Sequence, residues 1–132
     1  MLRVHELQPL LRLRRNGIAV GYLVTQREDL WVCTDGATYL EVVSRVLACS
    51  HPDVLFLEGA DSIDGPWDNT VNLFNATSVA GEALQYLFSA DRPRNDPLRM
   101  RRFYRWSWLV PIVADVEAPS DTCFRLTALL YS

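Results

Sequence analysis

Residues 103–110 read Phe-Tyr-Arg-Trp-Ser-Trp-Leu-Val, the richest run of strand-favouring side chains in the chain. Successive side chains of a strand point to opposite faces, so Tyr104, Trp106 and Trp108 share one face and Phe103, Arg105 and Ser107 the other. Pro111 ends or bends the run. A second run has the same period: Phe124, Leu126, Ala128 and Leu130 alternate with Arg125, Thr127, Leu129 and Tyr131. The two apolar sets are expected to face one core.

Working outward, the other apolar runs are short and bounded by turn residues. Trp31-Val32-Cys33 is closed by Thr34-Asp35-Gly36, and Val54-Leu55-Phe56-Leu57 follows the turn Ser50-His51-Pro52-Asp53. Val71 to Phe74 and Leu84 to Phe88 read as further strands. Tyr39 to Cys49 carries a helical face (Leu40, Val43, Leu47) and also an alternating one (Leu40, Val42, Val46). The β-branched Val42, Val43 and Val46 favour strand. At the N-terminal end, Asn16-Gly17 has the two residues that a tight type I′ turn demands, which predicts a hairpin of 10–15 and 18–24. Pro9 before it marks a strand start or a sheet edge. Asp91 to Pro97 and Asp115 to Asp121 are polar loops. Eight or nine short strands without a convincing helix predict an all-β antiparallel sandwich of jelly-roll-like type, with about eight strands.

At 132 residues, 49% hydrophobic and 22% charged, the chain is the size of one domain and can bury a core. A single sandwich over residues 1–132 is expected, with 1–30 as an N-terminal arm or hairpin. No apolar run approaches the ~20 residues of a membrane helix, and Met1 to Leu13 lacks the apolar centre of a secretory signal. Cys33, Cys49 and Cys123 are odd in number and widely spaced, and with His5 and His51 they make no zinc pattern. They read as free thiols packed as small apolar residues.

All 13 basic residues are arginine, a bias that suits two-pronged contacts to carboxylates and that a GC-rich genome would equally produce. The net charge of −3 argues against nucleic acid as a partner. The charge is uneven, however. From Arg92 to Arg105 there are six arginines against Asp96, a local net of +5. Its loop part carries Arg92, Arg94, Arg99, Arg101 and Arg102, with Pro93 and Pro97 limiting its freedom. These five arginines are the candidate partner-binding residues.

Catalytic constellations are weak. His51, Ser62 and Asp64 supply the letters of a hydrolytic triad, but no Gly-x-Ser-x-Gly elbow surrounds any serine. Glu58 and Asp61 are two acids near a turn with no second motif beside them. Asp61-Ser62-Ile63-Asp64-Gly65 lacks the further oxygens of a calcium loop. No enzyme activity, cofactor or metal is expected. Sugars stack on exposed indoles, so Trp67, beside a loop, is the candidate glycan-binding residue of an alternative reading, a jelly-roll carbohydrate-binding module.

From Ala37 to Leu130 the order of features resembles the small β-sandwich proteins encoded among the head and tail genes of tailed bacteriophages and prophages. The resemblance rests on the Ser62-x-Asp64-Gly65-x-Trp67 turn, the strand Arg102-Phe103-Tyr104-Arg105-Trp106-Ser107-Trp108 and the closing Phe124-Arg125-Leu126-Thr127-Ala128. It implies a non-enzymatic virion structural protein of the capsid decoration or cement type. Such a protein would be made in the bacterial cytoplasm and carried in the virion. The implied partners are the major capsid protein or other virion subunits, in a homo-oligomer or symmetric array, without membrane.

Overall fold

In the computed structural model, which describes residues 1–15, 22–49, 53–74, 81–110 and 120–132, the chain forms two facing antiparallel sheets. The strands are β1 (Leu2–Arg15), β2 (Tyr22–Thr25), β3 (Val32–Cys33), β4 (Tyr39–Cys49), β5 (Val54–Ala60), β6 (Asp68–Phe74), β7 (Ala83–Ser89), β8 (Phe103–Val110) and β9 (Ser120–Tyr131). One short 3-10 turn, Glu28–Leu30, lies between β2 and β3. The first sheet runs β1-β9-β4-β7. The second runs β2-β8-β5-β6, with β3 also pairing β8. The expected all-β sandwich is therefore the fold.

The two deciding runs occupy opposite sheets. Tyr104, Trp106 and Trp108 of β8 are buried against Phe124, Leu126, Ala128 and Leu130 of β9, together with Leu40, Val42 and Val46 of β4. The ambiguous stretch Tyr39 to Cys49 is thus a strand, and the alternating set is its core face. Edge-on contact of Trp106 with Phe124, 5.1 Å between ring centres, joins the layers.

Buried indole N–H groups need acceptors, and both find one in the opposite sheet. Trp106 Nε1 donates to Gln8 Oε1 of β1 at 2.9 Å, and Trp108 Nε1 donates to Thr122 Oγ1 of β9 at 2.9 Å. Gln26 completes this polar tie. Its Nε2 donates to the Leu7 carbonyl, and its Oε1 accepts from the Trp106 backbone N–H at 3.3 Å. The two tryptophans of β8 therefore fill the core and fix the sheets in register.

Among the described residues, the two arms of the expected N-terminal hairpin, 10–15 and 18–24, do not pair with each other. β1 pairs with β9 along nearly its whole length, while β2 pairs with β8 in the other sheet. Leu11 and Leu13 of β1 and Val24 of β2 pack on the same core from opposite layers, which a two-stranded ribbon cannot arrange. The Asn16-Gly17 turn itself lies outside the described residues. Nor is the segment a free arm: Leu2–Arg15 is the edge strand of the first sheet. Pro9 sits on that edge strand inside the second of two register shifts that bracket Gln8, where no ladder pair is formed for it to break. Arg12 clamps Asp121 two-pronged at 2.9 and 2.6 Å, and Arg125 clamps Glu6 at 2.7 and 3.1 Å, riveting β1 to β9. Asp121, which reads as the end of a loop, belongs to β9.

Candidate functional site

The loop 91–102 leaves β7 and returns to β8 as an ordered turn. Asp96 organises it: its Oδ1 accepts the Leu98 N–H at 2.8 Å, and its backbone N–H reaches the Pro93 carbonyl at 2.9 Å. That backbone hydrogen bond from Leu98, with help from Arg92 at 3.3 Å, holds the Asp96 carboxyl below its ordinary range. Ser89 ties the base of the loop, its N–H to the Leu98 carbonyl and its carbonyl to the Met100 N–H. From the core side, the Tyr104 hydroxyl accepts the Arg101 N–H at 2.6 Å and donates to the Arg99 carbonyl at 3.3 Å. Burial pushes the Tyr104 phenol well up, so it stays a neutral donor.

The fold does not gather the five arginines into one patch. Arg101 crosses to the other side of a cleft and grips Asp61 at 3.0 Å and Asp68 at 2.9 Å. Its stem lies against Gly59, where a Cβ would stand 2.9 Å from Arg101 Cγ; only glycine leaves it room. Arg102 points the opposite way and holds Asp35 two-pronged, at 3.0 Å to each oxygen. This hydrogen bond lowers the Asp35 carboxyl. Arg92 is paired with Asp96. Arg94 and Arg99 line the cleft, about 730 Å³, beside Asn69 and Asn95, and neither has a carboxylate partner among the described residues.

Arg105, the sixth arginine, is also engaged. On the outer face of the second sheet it reaches Glu58 at 3.4 Å and stands over the Trp67 ring, 4.0 Å from its centre, with Trp31 at 5.1 Å. Trp31 and Trp67 meet edge-on at 4.7 Å. Beneath them the Ser107 hydroxyl donates to Glu58. Trp67 is half-buried with one indole face taken by Arg105. Glu58 and Asp61 therefore serve different arginines. His51 lies outside the described residues.

Four acids that sequence reasoning did not connect to the basic segment, namely Asp35, Glu58, Asp61 and Asp68, arrive from other elements and neutralise most of its +5. The local hint was the stretch Asp53 to Asp68, five acids with no arginine among them, which supplies three of the four. What remains on offer is a pair of guanidinium groups, Arg94 and Arg99, on a rigid, polar cleft. Such groups recognise carboxylates two-pronged and do no bond-making chemistry. Among the described residues no cluster of three metal-ligating side chains occurs, and no helix is long and apolar enough to cross a membrane.

No family model matches the chain, and no curated protein matches it. The similar solved structures include two of one virus. One is a chain in the structure of infectious bursal disease virus, Gt strain, with a TM-score of 0.53 and 14% identity over 99% of this chain. The other is from the Gx strain of the same virus, with a TM-score of 0.51 and 11% identity over 100% of this chain. In both cases the protein spans 32% of the length of the chain it matches. That virus is an animal virus, whereas the resemblance read from the sequence is to proteins of tailed bacteriophages. At such identity the likeness is one of architecture, so this protein is similar in fold to about a third of a chain from each of two virus structures.

Proposed function

We propose that the protein is a non-enzymatic structural subunit of a virus particle. The observation that carries this reading is the likeness of the entire sandwich to chains in two virus structures, 99% and 100% of its length being matched. The physics suits the role. A shell component needs a rigid body and surfaces that repeat with the symmetry of the particle, so that weak contacts multiply. The cross-sheet indole ties supply rigidity, and the arginine-lined cleft supplies a contact surface.

In its finer form the reading is a decoration or cement protein on a tailed-bacteriophage shell. The Ser62-x-Asp64-Gly65-x-Trp67 turn and the Arg102–Trp108 strand support this form. The partner is then the major capsid protein, presenting carboxylates to Arg94 and Arg99. The test is co-sedimentation with assembled particles of the same virus, with copy number counted by mass. Stoichiometric occupancy at a number set by the shell's symmetry is expected, falling as salt rises. Replacing the exposed Arg94 and the half-buried Arg99 together with serine removes two charge contacts and should weaken occupancy about ten-fold with little change in the melt. Absence of the wild-type chain from purified particles overturns the structural role. Undiminished occupancy of the double variant overturns only the docking surface.

A further inference from the structure

The outer face of the first sheet is unusually apolar. Of the nine exposed large apolar side chains among the described residues, six lie on it: Leu2, Val4, Leu10, Tyr39, Leu47 and Leu87. They are 44–62% exposed. The register gathers them. Leu2 stands opposite Tyr131 and Tyr39 in one row, and Val4 opposite Leu129 in the next, which continues through Glu41 to Leu87. Isolated exposed apolar residues are ordinary, but apolar side chains gathered on one face with members on all four strands mark an interaction surface.

The pattern along β4 says what covers it. Its outward residues are Tyr39, Glu41, Val43, Arg45 and Leu47: apolar, acid, apolar, base, apolar. Reversed about Val43, the series keeps its apolar positions and exchanges acid for base. Arg45 has no ion-pair partner among the described residues and stands directly opposite another cation, Arg125, whose own charge is spent on Glu6. Like charges opposite one another in a sheet are unfavourable, so among the described residues Arg45 lacks the carboxylate it needs. Glu41 is held in place by the Tyr131 hydroxyl at 3.2 Å.

We propose that this face binds a second copy of the chain, by a two-fold axis that crosses the strands at Val43. The axis lays β4 antiparallel over β4 of the second copy, Glu41 over its Arg45 and Arg45 over its Glu41, and Tyr39 over its Leu47. Val4 and Leu10, on either side of the same row in β1, likewise exchange. This is the self-complementarity that a two-fold interface requires. Two sheets packed face to face lie about 10 Å apart and cross at about 30°. That twist shifts the Glu41 and Arg45 rows by less than one strand spacing, so both charge pairs survive it. Four strands nine residues long cover about 500 Å² per copy, near the lower limit for a specific interface. The dimer is therefore a weak one, with a Kd of micromolar order. The inference concerns the chain alone in solution and stands independently of the virus-particle reading.

The test is sedimentation equilibrium of the purified chain and of two charge variants. The wild type is expected to pass from monomer to dimer with rising concentration. Glu41→Arg alone and Arg45→Glu alone each place like charges face to face and should weaken association at least about 100-fold. Mixing the two variants restores both opposite pairs, so the mixture should form a heterodimer near the wild-type Kd although neither variant pairs with itself. Thermal melts of each variant establish that it is folded. A wild type that stays monomeric through about 1 mM overturns the proposal. So does a dimer that either single variant leaves intact, or a mixture that does not associate, since each places the contact, or its partner, elsewhere.

Discussion

Trp106 joins the two sheets by packing and by one hydrogen bond, and the two contributions can be separated. The side chain is 3% exposed, edge-on to Phe124, and its Nε1 donates to Gln8 Oε1 at 2.9 Å. Trp106→Ala removes a large buried aromatic and should cost about 3–5 kcal/mol. Trp106→Phe keeps a ring against Phe124 but leaves Gln8 Oε1, in a residue 7% exposed, without its donor, at about 1–3 kcal/mol. Gln8→Met strands the indole N–H in the same way. It also loses the Gln8 bond to the Pro9 carbonyl, but that loss occurs in the single and double variants alike and cancels in a cycle. With both partners replaced no orphan is left. The double variant Trp106→Phe with Gln8→Met should therefore cost at least about 1 kcal/mol less than the sum of the singles. Urea unfolding followed by far-ultraviolet circular dichroism, extrapolated linearly, gives all four free energies. A Trp106→Ala loss under about 1 kcal/mol would refute the core placement. Costs that add to within about 0.5 kcal/mol would refute the cross-sheet hydrogen bond.

Gly59→Ala should cost about 1–3 kcal/mol, because its new Cβ meets Arg101 Cγ at 2.9 Å, Tyr104 Cε1 at 3.1 Å and Thr70 Cγ2 at 3.2 Å. Hydrogen exchange should quicken across residues 91–102 as Arg101 leaves its aspartates, and unchanged exchange there would count against Arg101 as the anchor. Acid should destabilise the fold. Hydrogen bonds from Arg125, Arg102, the Leu98 N–H and Arg12 hold the carboxyls of Glu6, Asp35, Asp96 and Asp121 below their ordinary values. The unfolded chain therefore takes up protons first. The stabilisation is complete above the unfolded values of about 3.9–4.3 and is lost as pH falls through the folded ones. Melting temperature should fall steadily from about pH 5 to about pH 2.5, and a flat profile would contradict these pairings.

The sandwich was legible because β8 and β9 each bury one face and expose the other, so period-two alternation survives in the sequence. Tyr39 to Cys49 was decided by three valines, whose branched side chains suit a pleated surface. The first half of β1 was not legible: the register shifts around Gln8 break its alternation just where Leu7 and Gln8 both turn inward. The hairpin reading failed for a different reason. Asn16-Gly17 advertises a turn, but which strand a neighbour pairs with depends on residues 105 to 129 positions away, and β1 finds β9. The basic segment shows the same limit. Its charge is local in sequence, whereas Asp35, Asp61 and Asp68, which answer Arg101 and Arg102, are 33 to 67 positions distant. Two arginines of the expected five keep their charge open to a partner, and nothing in the linear order distinguishes Arg94 and Arg99 from the rest.

The position of β9 between β1 and β4 has a consequence for how the chain reaches its fold. β1 is made first and β9 last, yet neither β1 nor the inner edge of β4 has its partner until residues 120–131 exist. The first sheet must therefore close by inserting its final strand into a slot held open by the other two. Long-range pairing of this kind is slow, because the entropy of closing a long loop is lost before the contacts form. Until then the apolar faces of β1 and β4 and two unpaired ladder edges stay open to other chains, so folding should be most vulnerable to aggregation just before β9 docks.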